Sequence, residues 1–211
     1  MGGVCYIIGA GDVNSLEIET SYNDYIICAD GGYDHAKKFN IKPDLIVGDF
    51  DSAVAKPVHE AIQSFPSEKD ETDMMLAVNC GLEKGYKKFF IFGGLGGSRF
   101  DHSIANIQLL SYINKHKAWG VIIDDDTIVT TIKNASLSLN RDCTGYISIF
   151  SLTNKSYGVT IRNLKYELKN AKMDSAYPFG VSNEFIDKPC IINVTKGSLL
   201  IIFKGDYRKL L

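Results

Sequence analysis

The first 125 residues alternate short, continuous apolar runs with stretches of helical periodicity. Apolar runs without interleaved polar residues are typical of parallel strands that are buried on both faces. Helical spacing follows several of them, which predicts an α/β unit with a mainly parallel sheet. The predicted strands are Val4–Ile8, Tyr25–Ala29, 45–48, Phe89–Phe92 and Trp119–Ile123. The predicted helices are a short one after Gly32 that ends at Lys38, one from 53 to 64, one from about 73 to about 85, and one after His102 that includes Ile104 to Ile113.

The pattern changes after Thr127, where strand-sized segments follow one another quickly and helical periodicity disappears. Glycines separate many of these segments, as expected for an antiparallel sandwich. We therefore predict two domains, an α/β domain over 1–125 and an all-β sandwich over 126–211. The predicted strands are Ile128–Ile132, Ser136–Leu139, Tyr146–Leu152, Val159–Leu164, Ile191–Val194 and Leu199–Phe203.

Composition narrows the range of partners and compartments. A formal net charge of −2 gives no electrostatic reason to expect nucleic acid as a partner. Five cysteines without a CxxC pair predict reduced thiols, and the N-terminus lacks the features of a signal peptide. No apolar run approaches the ~20 residues of a membrane-spanning helix. We expect a soluble, cytoplasmic protein with no membrane partner.

Acidic residues follow two of the predicted strands immediately. Asp30 follows the second strand, and Asp49 and Asp51 follow the third. Carboxylates gathered at one sheet edge repel one another unless a cation lies between them, and oxygen ligands favour Mg²⁺. No Cys or His pair has the spacing of a zinc site. This pattern predicts a Mg²⁺ ion that carries a polyphosphate.

Two glycine-rich segments follow the first and fourth strands. In the first, 9–12, glycines at 9 and 11 suit either a tight turn or contact with a ligand. In the second, 93–102, four glycines precede Arg99 and Asp101. Backbone amides of glycine loops and the planar guanidinium of arginine both suit phosphate oxygens. The second segment therefore predicts phosphate binding.

Two further acidic groups leave alternatives open. Asp70 or Thr72 can cap the helix that begins near Asp73, while the same acids can face the Asp49 and Asp51 pair. The run 124–126 is interpreted as a turn in preference to a metal site.

These features together suit the transfer of a phosphoryl-type group, in which an enzyme positions the reactants and stabilises developing charge. The P-loop pattern GxxxxGK[ST] is absent from the sequence. From the residues alone, the prediction is a Mg²⁺-nucleotide enzyme with an unknown acceptor.

Five motifs in order resemble the thiamine pyrophosphokinase family. They are ADGG at 29–32, PDLIVGDFDS at 43–52, KDETD at 69–73, GGSRFDH at 96–102 with Asn106 after it, and SNEF at 182–185. The resemblance implies transfer of the diphosphate of ATP to the hydroxyl of thiamine, which releases AMP. It also implies that the first domain is catalytic and that the second binds thiamine and forms a homodimer.

The resemblance assigns residues by motif position. Mg²⁺ falls to Asp49, Asp51 and Asp73, and the catalytic set adds Asp101 and Arg99. The ATP contacts fall to Asp30, Gly31, Gly32, Asp70, Arg99 and Asn106, and the thiamine contacts to Ser182, Asn183 and Tyr166. The family further implies that thiamine lies between the α/β half of one subunit and the sandwich of the other. The proton acceptor is left open.

Two departures from the family pattern affect these assignments. Ser98 separates the paired glycines from Arg99, and Tyr166 stands where some members have Trp. Two alternatives are a related diphosphotransferase acting on another small alcohol such as a pterin, and a non-catalytic thiamine or nucleotide sensor. The SNEF segment argues against a pterin acceptor, and the retained carboxylates argue against a silent sensor.

Overall fold

The computed structural model describes residues 2–49, 61–65 and 70–210. The chain divides into two compact units, 1–125 and 126–211. The first unit is an α/β domain and the second is made of antiparallel strands, which confirms the predicted fold class. No helix within the described ranges is both long and apolar enough to cross a lipid bilayer.

Within the described part of the first unit, the chain forms six parallel strands and three helices. The strands lie in the order β6-β5-β1-β2-β3-β4, with parallel pairing throughout. The strands are β1 (Cys5–Ile8), β2 (Tyr25–Ala29), β3 (Leu45–Gly48), β4 (Ile62–Ser64), β5 (Lys88–Phe92) and β6 (Trp119–Asp124). The helices are α1 (Gly32–Lys38), α2 (Asp73–Glu83) and α3 (Phe100–Lys115).

The core of this unit is formed by the apolar runs that predicted the strands. Strands β1, β2, β3 and β5 are buried over almost their whole length, including the large side chains Tyr6, Phe89 and Phe90. Helix α3 lies so close to β6 that a Cβ on Gly120 would come within 2.9 Å of side-chain atoms of Leu110 and Ile113. These contacts fix α3, and with it the segment that precedes it, against the sheet.

The predicted helix over 53–64 is wrong at its C-terminal end. Residues 62–64 form β4, which pairs in parallel with β3 from Ile46 to Gly48. All three β4 side chains are exposed, so no apolar periodicity marked this short edge strand. Residues 50–60, which include the remainder of the predicted helix, lie outside the described ranges.

Two sets of antiparallel strands form the second unit. Their orders are β12-β9-β14-β7 and β11-β10-β13-β8. The strands are β7 (Thr127–Lys133), β8 (Ser136–Leu139), β9 (Tyr146–Ser151), β10 (Lys155–Arg162), β11 (Leu168–Asp174), β12 (Asn183–Glu184), β13 (Cys190–Asn193) and β14 (Ser198–Lys204). A 3₁₀ helix over Tyr207–Leu210 follows β14. Of these strands, β11 and β12 were not predicted.

A buried hydroxyl connects the two strand sets of this unit. The Ser156 Oγ on β10 lies 2.8 Å from the Ser151 Oγ on β9 and donates to the Ser198 carbonyl on β14 at 3.1 Å. Inward-facing apolar residues such as Ile149 and Val159 are fully buried around it. This arrangement is the sandwich expected from the closely spaced strands.

Candidate active site

A cavity of about 320 Å³ lies at the carboxyl ends of the parallel strands of the first unit. The chain extends from β1 through β2, β3 and β4 on one side, and then places β5 and β6 on the other. Parallel α/β sheets bind ligands at such a switch in strand order. The described residues that line the cavity come mainly from the ends of β1, β2 and β5 and from the first turns of α2 and α3; they are 9–11, 29–30, 72–74, 93–94, 96–99, 102–103 and 105–106.

The two glycine-rich segments lie side by side at this edge. The Gly9 N–H donates to the Phe92 carbonyl at 2.8 Å, and the Gly11 N–H donates to the Gly93 carbonyl at 2.9 Å. A Cβ on Gly11 would come within 2.7 Å of the Gly93 carbonyl oxygen. Gly11 therefore permits close backbone approach, which supports the tight-turn interpretation, and it also lines the cavity. Contact of this segment with a ligand stays a prediction.

Arg99 ends the second glycine segment and lines the cavity with an exposed side chain. Its guanidinium contacts the Asp101 carboxylate at 2.6 Å. This contact lowers the pKa of Asp101 to about 2 and raises the pKa of Arg99. Both groups therefore stay charged at neutral pH. Among the described residues the cavity lining includes Arg99 but not Asp101.

Two polar residues of the cavity wall, Ser103 and Asn106, are buried, and Asn106 has 7% of its surface exposed. Its Nδ2 donates to the Gly94 carbonyl at 2.8 Å. This bond connects α3 with the glycine segment after β5. In this structure the Asn106 amide therefore supports the loop.

Asp73 begins α2 and lines the cavity. Thr72 caps this helix, because its Oγ1 accepts from the Met75 N–H at 3.2 Å. Thr72, and not Asp70, is therefore the residue that caps α2. Asp73 lies in the first turn, where the positive helix end favours a carboxylate. Asp70 is exposed and does not line the cavity.

Asp30 lines the cavity and adopts the left-handed backbone conformation, with φ of 47°. Its N–H donates to the Val47 carbonyl at 2.8 Å, and the register Ala29↔Val47 brings Asp49 to the same sheet edge. Gly31 and Gly32 lie outside the described lining. A Cβ on Gly32 would meet the Ile8 carbonyl oxygen at 1.9 Å, so this glycine permits the close approach of α1 to β1.

The predicted metal ligands are only partly described by the structure. Asp49 and Asp73 are half-buried, whereas Asp51 lies outside the described residues. Within 2–49, 61–65 and 70–210, no group of three or more His, Cys, Asp or Glu residues is arranged to hold a metal ion. The donors present at this edge are carboxylate oxygens, which fit the preference of Mg²⁺.

Of the acidic run 124–126, Asp124 ends β6, and Asp125 and Asp126 form the turn that follows. Asp125 has φ of 51° and accepts from the Asn14 Nδ2 at 2.9 Å, while Asp126 accepts from the Lys204 Nζ at 2.9 Å. These contacts agree with the predicted turn.

The predicted thiamine residues occupy adjoining positions in the second unit. Asn183 is buried, and its side chain makes two hydrogen bonds with the Tyr166 backbone, at 2.9 and 2.7 Å. The Tyr166 ring is 59% exposed, and the Lys165 Nζ lies 5.5 Å from its centre. Ser182 has φ of 58°, and its N–H donates to the Ser148 Oγ. In this arrangement Asn183 fixes the backbone that presents Tyr166.

Sequence reasoning missed two residues that support the cavity. The Asp12 carboxylate accepts from the Gly97 N–H at 2.7 Å, and a ring nitrogen of His35 lies 2.9 Å from the Gly11 carbonyl oxygen. The acid directly after Gly11 was a visible signal for Asp12. His35 had no signal, because its contact depends on the packing of α1.

The fold defines a two-unit protein: an α/β unit with a cavity at a switch in strand order, and a β-sandwich unit. Residues 16–122 match the thiamin pyrophosphokinase catalytic domain, and residues 134–199 match the thiamin pyrophosphokinase vitamin B1 binding domain. The chain therefore belongs to the thiamin pyrophosphokinase family.

Individual relatives agree with this membership over almost the full chain. A thiamine pyrophosphokinase of Bacillus subtilis (strain 168) is 29% identical over 210 residues, which cover 95% of this chain and 98% of the relative. The crystal structure of thiamine pyrophosphokinase from Bacillus subtilis superposes with a TM-score of 0.83 at 27% identity, covering 96% and 99% of the two chains. A family protein from Enterococcus faecalis gives 0.82 at 27% identity, covering 96% and 99%.

Proposed function

We infer that this chain catalyses the transfer of a diphosphate group from ATP to the hydroxyl of thiamine, with AMP as the second product. The observation that carries this conclusion is the match of both units to the two domains of one family, together with a cavity at the strand switch of the first. In this reaction the thiamine hydroxyl oxygen forms a bond to the β-phosphorus of ATP. The bond between that phosphorus and the α,β-bridging oxygen breaks, and the hydroxyl proton is lost.

The phosphates are assigned to the glycine segment after β5. Gly96 and Gly97 have φ of 73° and 75°, a backbone conformation that is open at low steric cost only to glycine. Arg99 adds a cation at the same wall. Preorganised donors of this kind stabilise negative charge that develops during transfer. Asp101 orients the guanidinium, because the two side chains are directly paired.

Asp49, Asp51 and Asp73 are proposed to hold Mg²⁺, with Asp30 and Asp70 nearby on the nucleotide side. The carboxylates of Asp73 and Asp30 line the cavity, and Asp49 follows the strand next to Asp30. A bound Mg²⁺ would neutralise phosphate charge and favour the departure of AMP. The protein's own part is to orient the triphosphate against the glycine segment and Arg99.

Thiamine is assigned to Tyr166, Ser182 and Asn183 of the second unit, which lie within the matched vitamin B1 binding domain. The exposed Tyr166 ring can stack on a cationic thiazolium. Asn183 holds the Tyr166 backbone through two hydrogen bonds, so the ring starts from a defined position.

We propose a homodimer as the working assembly, with thiamine between the α/β unit of one subunit and the sandwich of the other. Several large side chains of the second unit are exposed in the single chain, as expected for residues that become covered on association; they are Tyr146, Tyr166, Tyr177 and Phe179. All five cysteines are free thiols, which supports a reducing compartment such as the cytoplasm.

The acceptor is tested by measuring AMP release from ATP and Mg²⁺ in three parallel reactions: with thiamine, with a pterin alcohol, and with no acceptor. We expect AMP to appear at a substantial rate only with thiamine, in a one-to-one ratio to thiamine diphosphate. AMP release with the pterin but not with thiamine would overturn the assignment.

The metal assignment is tested with Asp73→Asn, which removes a charge from the cavity and keeps the shape of the side chain. We expect turnover to fall by about two orders of magnitude or more, since such electrostatic groups typically contribute that much. Asp34→Asn is the matched control, because Asp34 lies exposed on α1, pairs with Lys37 and does not line the cavity. Equal activity in the two variants would contradict the role of Asp73.

A further inference from the structure

Asp12 supports the phosphate-binding segment from outside the cavity. Its Oδ2 accepts from the Gly97 N–H at 2.7 Å, and its own N–H donates to the Leu95 carbonyl at 3.2 Å. Among the described residues Gly97 lines the cavity, whereas Asp12 does not. The carboxylate therefore contacts the loop without lining the cavity.

The segment that Asp12 holds has an unusual backbone. Gly96 and Gly97 both adopt positive φ, and a Cβ on Gly96 would lie 2.6 Å from the Asp12 Oδ2. Glycine reaches many backbone conformations with similar energy, so two in succession need a contact that selects one of them. A hydrogen bond from an amide to a carboxylate is stronger than one between neutral groups. Asp12 supplies that contact.

Asp12 is itself held in place by its neighbours. The Gly11 N–H donates to the Gly93 carbonyl at 2.9 Å, and the Gly11 carbonyl lies 2.9 Å from a ring nitrogen of His35. These bonds fix the segment after β1 relative to both β5 and α1. The Asp12 carboxylate consequently acts from an ordered backbone.

The residues directly after the Asp12 contact are the ones assigned to phosphate. Ser98 and Arg99 follow Gly97, and both line the cavity. Arg99 is also the residue that precedes α3. A change in the backbone at Gly97 would therefore move the guanidinium and the adjacent amides together.

We propose that Asp12 is a positioning residue for the nucleotide phosphates: by holding the Gly97 amide it sets the conformation of the loop that carries Ser98 and Arg99. This inference rests on the proposed function, because it takes the ligand of the cavity to be ATP. Under this proposal, removal of the Asp12 carboxylate weakens nucleotide binding. If the carboxylate instead competed with phosphate for the Gly97 N–H, its removal would tighten nucleotide binding, so a binding experiment distinguishes the two.

The test compares Asp12→Ala, Asp12→Asn and the control Asn14→Ala. Asn14 belongs to the same segment, but its side chain bonds to Asp125 and does not line the cavity. Binding of a fluorescent ATP analogue in the presence of Mg²⁺ gives Kd directly, and steady-state AMP release gives KM for ATP and for thiamine. Thermal unfolding of each variant reports on stability.

We expect Asp12→Ala to weaken analogue binding and raise the ATP KM by about five- to twentyfold, in line with the loss of a hydrogen bond to a charged group at an exposed site. The thiamine KM should change less than about twofold, because the loop belongs to the nucleotide side. Asp12→Asn keeps an oxygen acceptor, so its Kd should lie between those of Asp12→Ala and the wild type. Asn14→Ala should match the wild type in Kd.

Unchanged or tighter analogue binding in Asp12→Ala would overturn the proposal, as would equal effects on the two KM values. Failure of the proposed function looks different. In that case the wild-type protein would release no AMP with thiamine, while the effect of Asp12→Ala on analogue binding would still support the role of Asp12.

Discussion

Replacing Asn106 tests how the cavity wall is held together. The Asn106 Nδ2 donates to the Gly94 carbonyl at 2.8 Å, and both residues are buried. Asn106→Ala removes the donor and leaves the carbonyl without it inside the protein. On the Cβ side, the Gly94 backbone packs on Ile91 and Ile122, which lie within 3.2 Å of the position that a Cβ would occupy.

The expected cost follows from the loss of this bond. A buried acceptor that loses its donor costs about 1–3 kcal/mol, and we take about 2 kcal/mol for a cavity wall that water can reach in part. For a chain of this size, each kcal/mol lowers Tm by about 2–4 °C. Asn106→Ala should therefore lower Tm by about 4–8 °C. It should also raise the KM for ATP, because the glycine segment loses its connection to α3.

Asn114→Ala is the matched control on the same helix. Its Nδ2 donates to the Leu110 carbonyl at 3.1 Å, but Asn114 lies outside the described cavity lining. Alanine also has a higher helix propensity than asparagine. We expect a change in stability within about 0.5 kcal/mol and an unchanged KM for ATP.

The assay combines thermal unfolding followed by circular dichroism with steady-state AMP release at saturating thiamine. The reasoning would be refuted if Asn106→Ala and Asn114→Ala gave the same Tm within error. It would also be refuted if Asn106→Ala lost stability while its KM for ATP stayed at the wild-type value, since the bond would then have no influence on the phosphate loop.

Three further predictions concern other parts of the chain. Gly32→Ala should lower the free energy of unfolding by about 3 kcal/mol or more, because its Cβ would meet a backbone oxygen at 1.9 Å. In Gly31→Ala the nearest contact is a side-chain carbon at 3.1 Å, so the loss of stability should be small. Urea unfolding compares the two variants. Burial raises the pKa of the Cys28 thiol from 9.0 to about 12, so the folded state favours the protonated form. The free energy of unfolding should therefore fall as pH rises from about 9 toward 12, by at most about 1.4 kcal/mol per pH unit for this thiol. Cys28→Ala should reduce that decline, as measured by urea unfolding at each pH. Ser182→Ala should raise the KM for thiamine more than the KM for ATP, and equal changes in both would contradict its assignment to the thiamine site.

Much of the first unit was predictable because its strands are buried on both faces. The apolar runs around Ile27 and Ile91 have no alternating polar residues, and they form β2 and β5. By contrast, β4 exposes all three of its side chains and β11 buries only one of seven, so no apolar run marked either strand. The sequence also does not reveal which strands pair with each other, because parallel pairing joins residues that are far apart in the chain.

The residues of the candidate site were also predictable only in part. The motifs pointed to Asp30, Asp73 and Arg99, and all three line the cavity. What the motifs could not provide was the contact that each side chain makes. The Asn106 bond to the glycine segment depends on where α3 packs, and the Asp12 bond to Gly97 spans 85 positions in sequence. Local patterns identify candidate residues, whereas the packing of the helices decides which residues support them.

The most direct test of the central claim is a crystal structure of the protein with Mg²⁺ and a non-hydrolysable ATP analogue. We predict that the phosphates lie against the glycine segment after β5 with Arg99 in contact, and that Mg²⁺ is held between the triphosphate and the carboxylates of Asp49, Asp51 and Asp73. A nucleotide bound elsewhere, with these side chains directed into solvent and no metal between them, would contradict the proposed catalytic site.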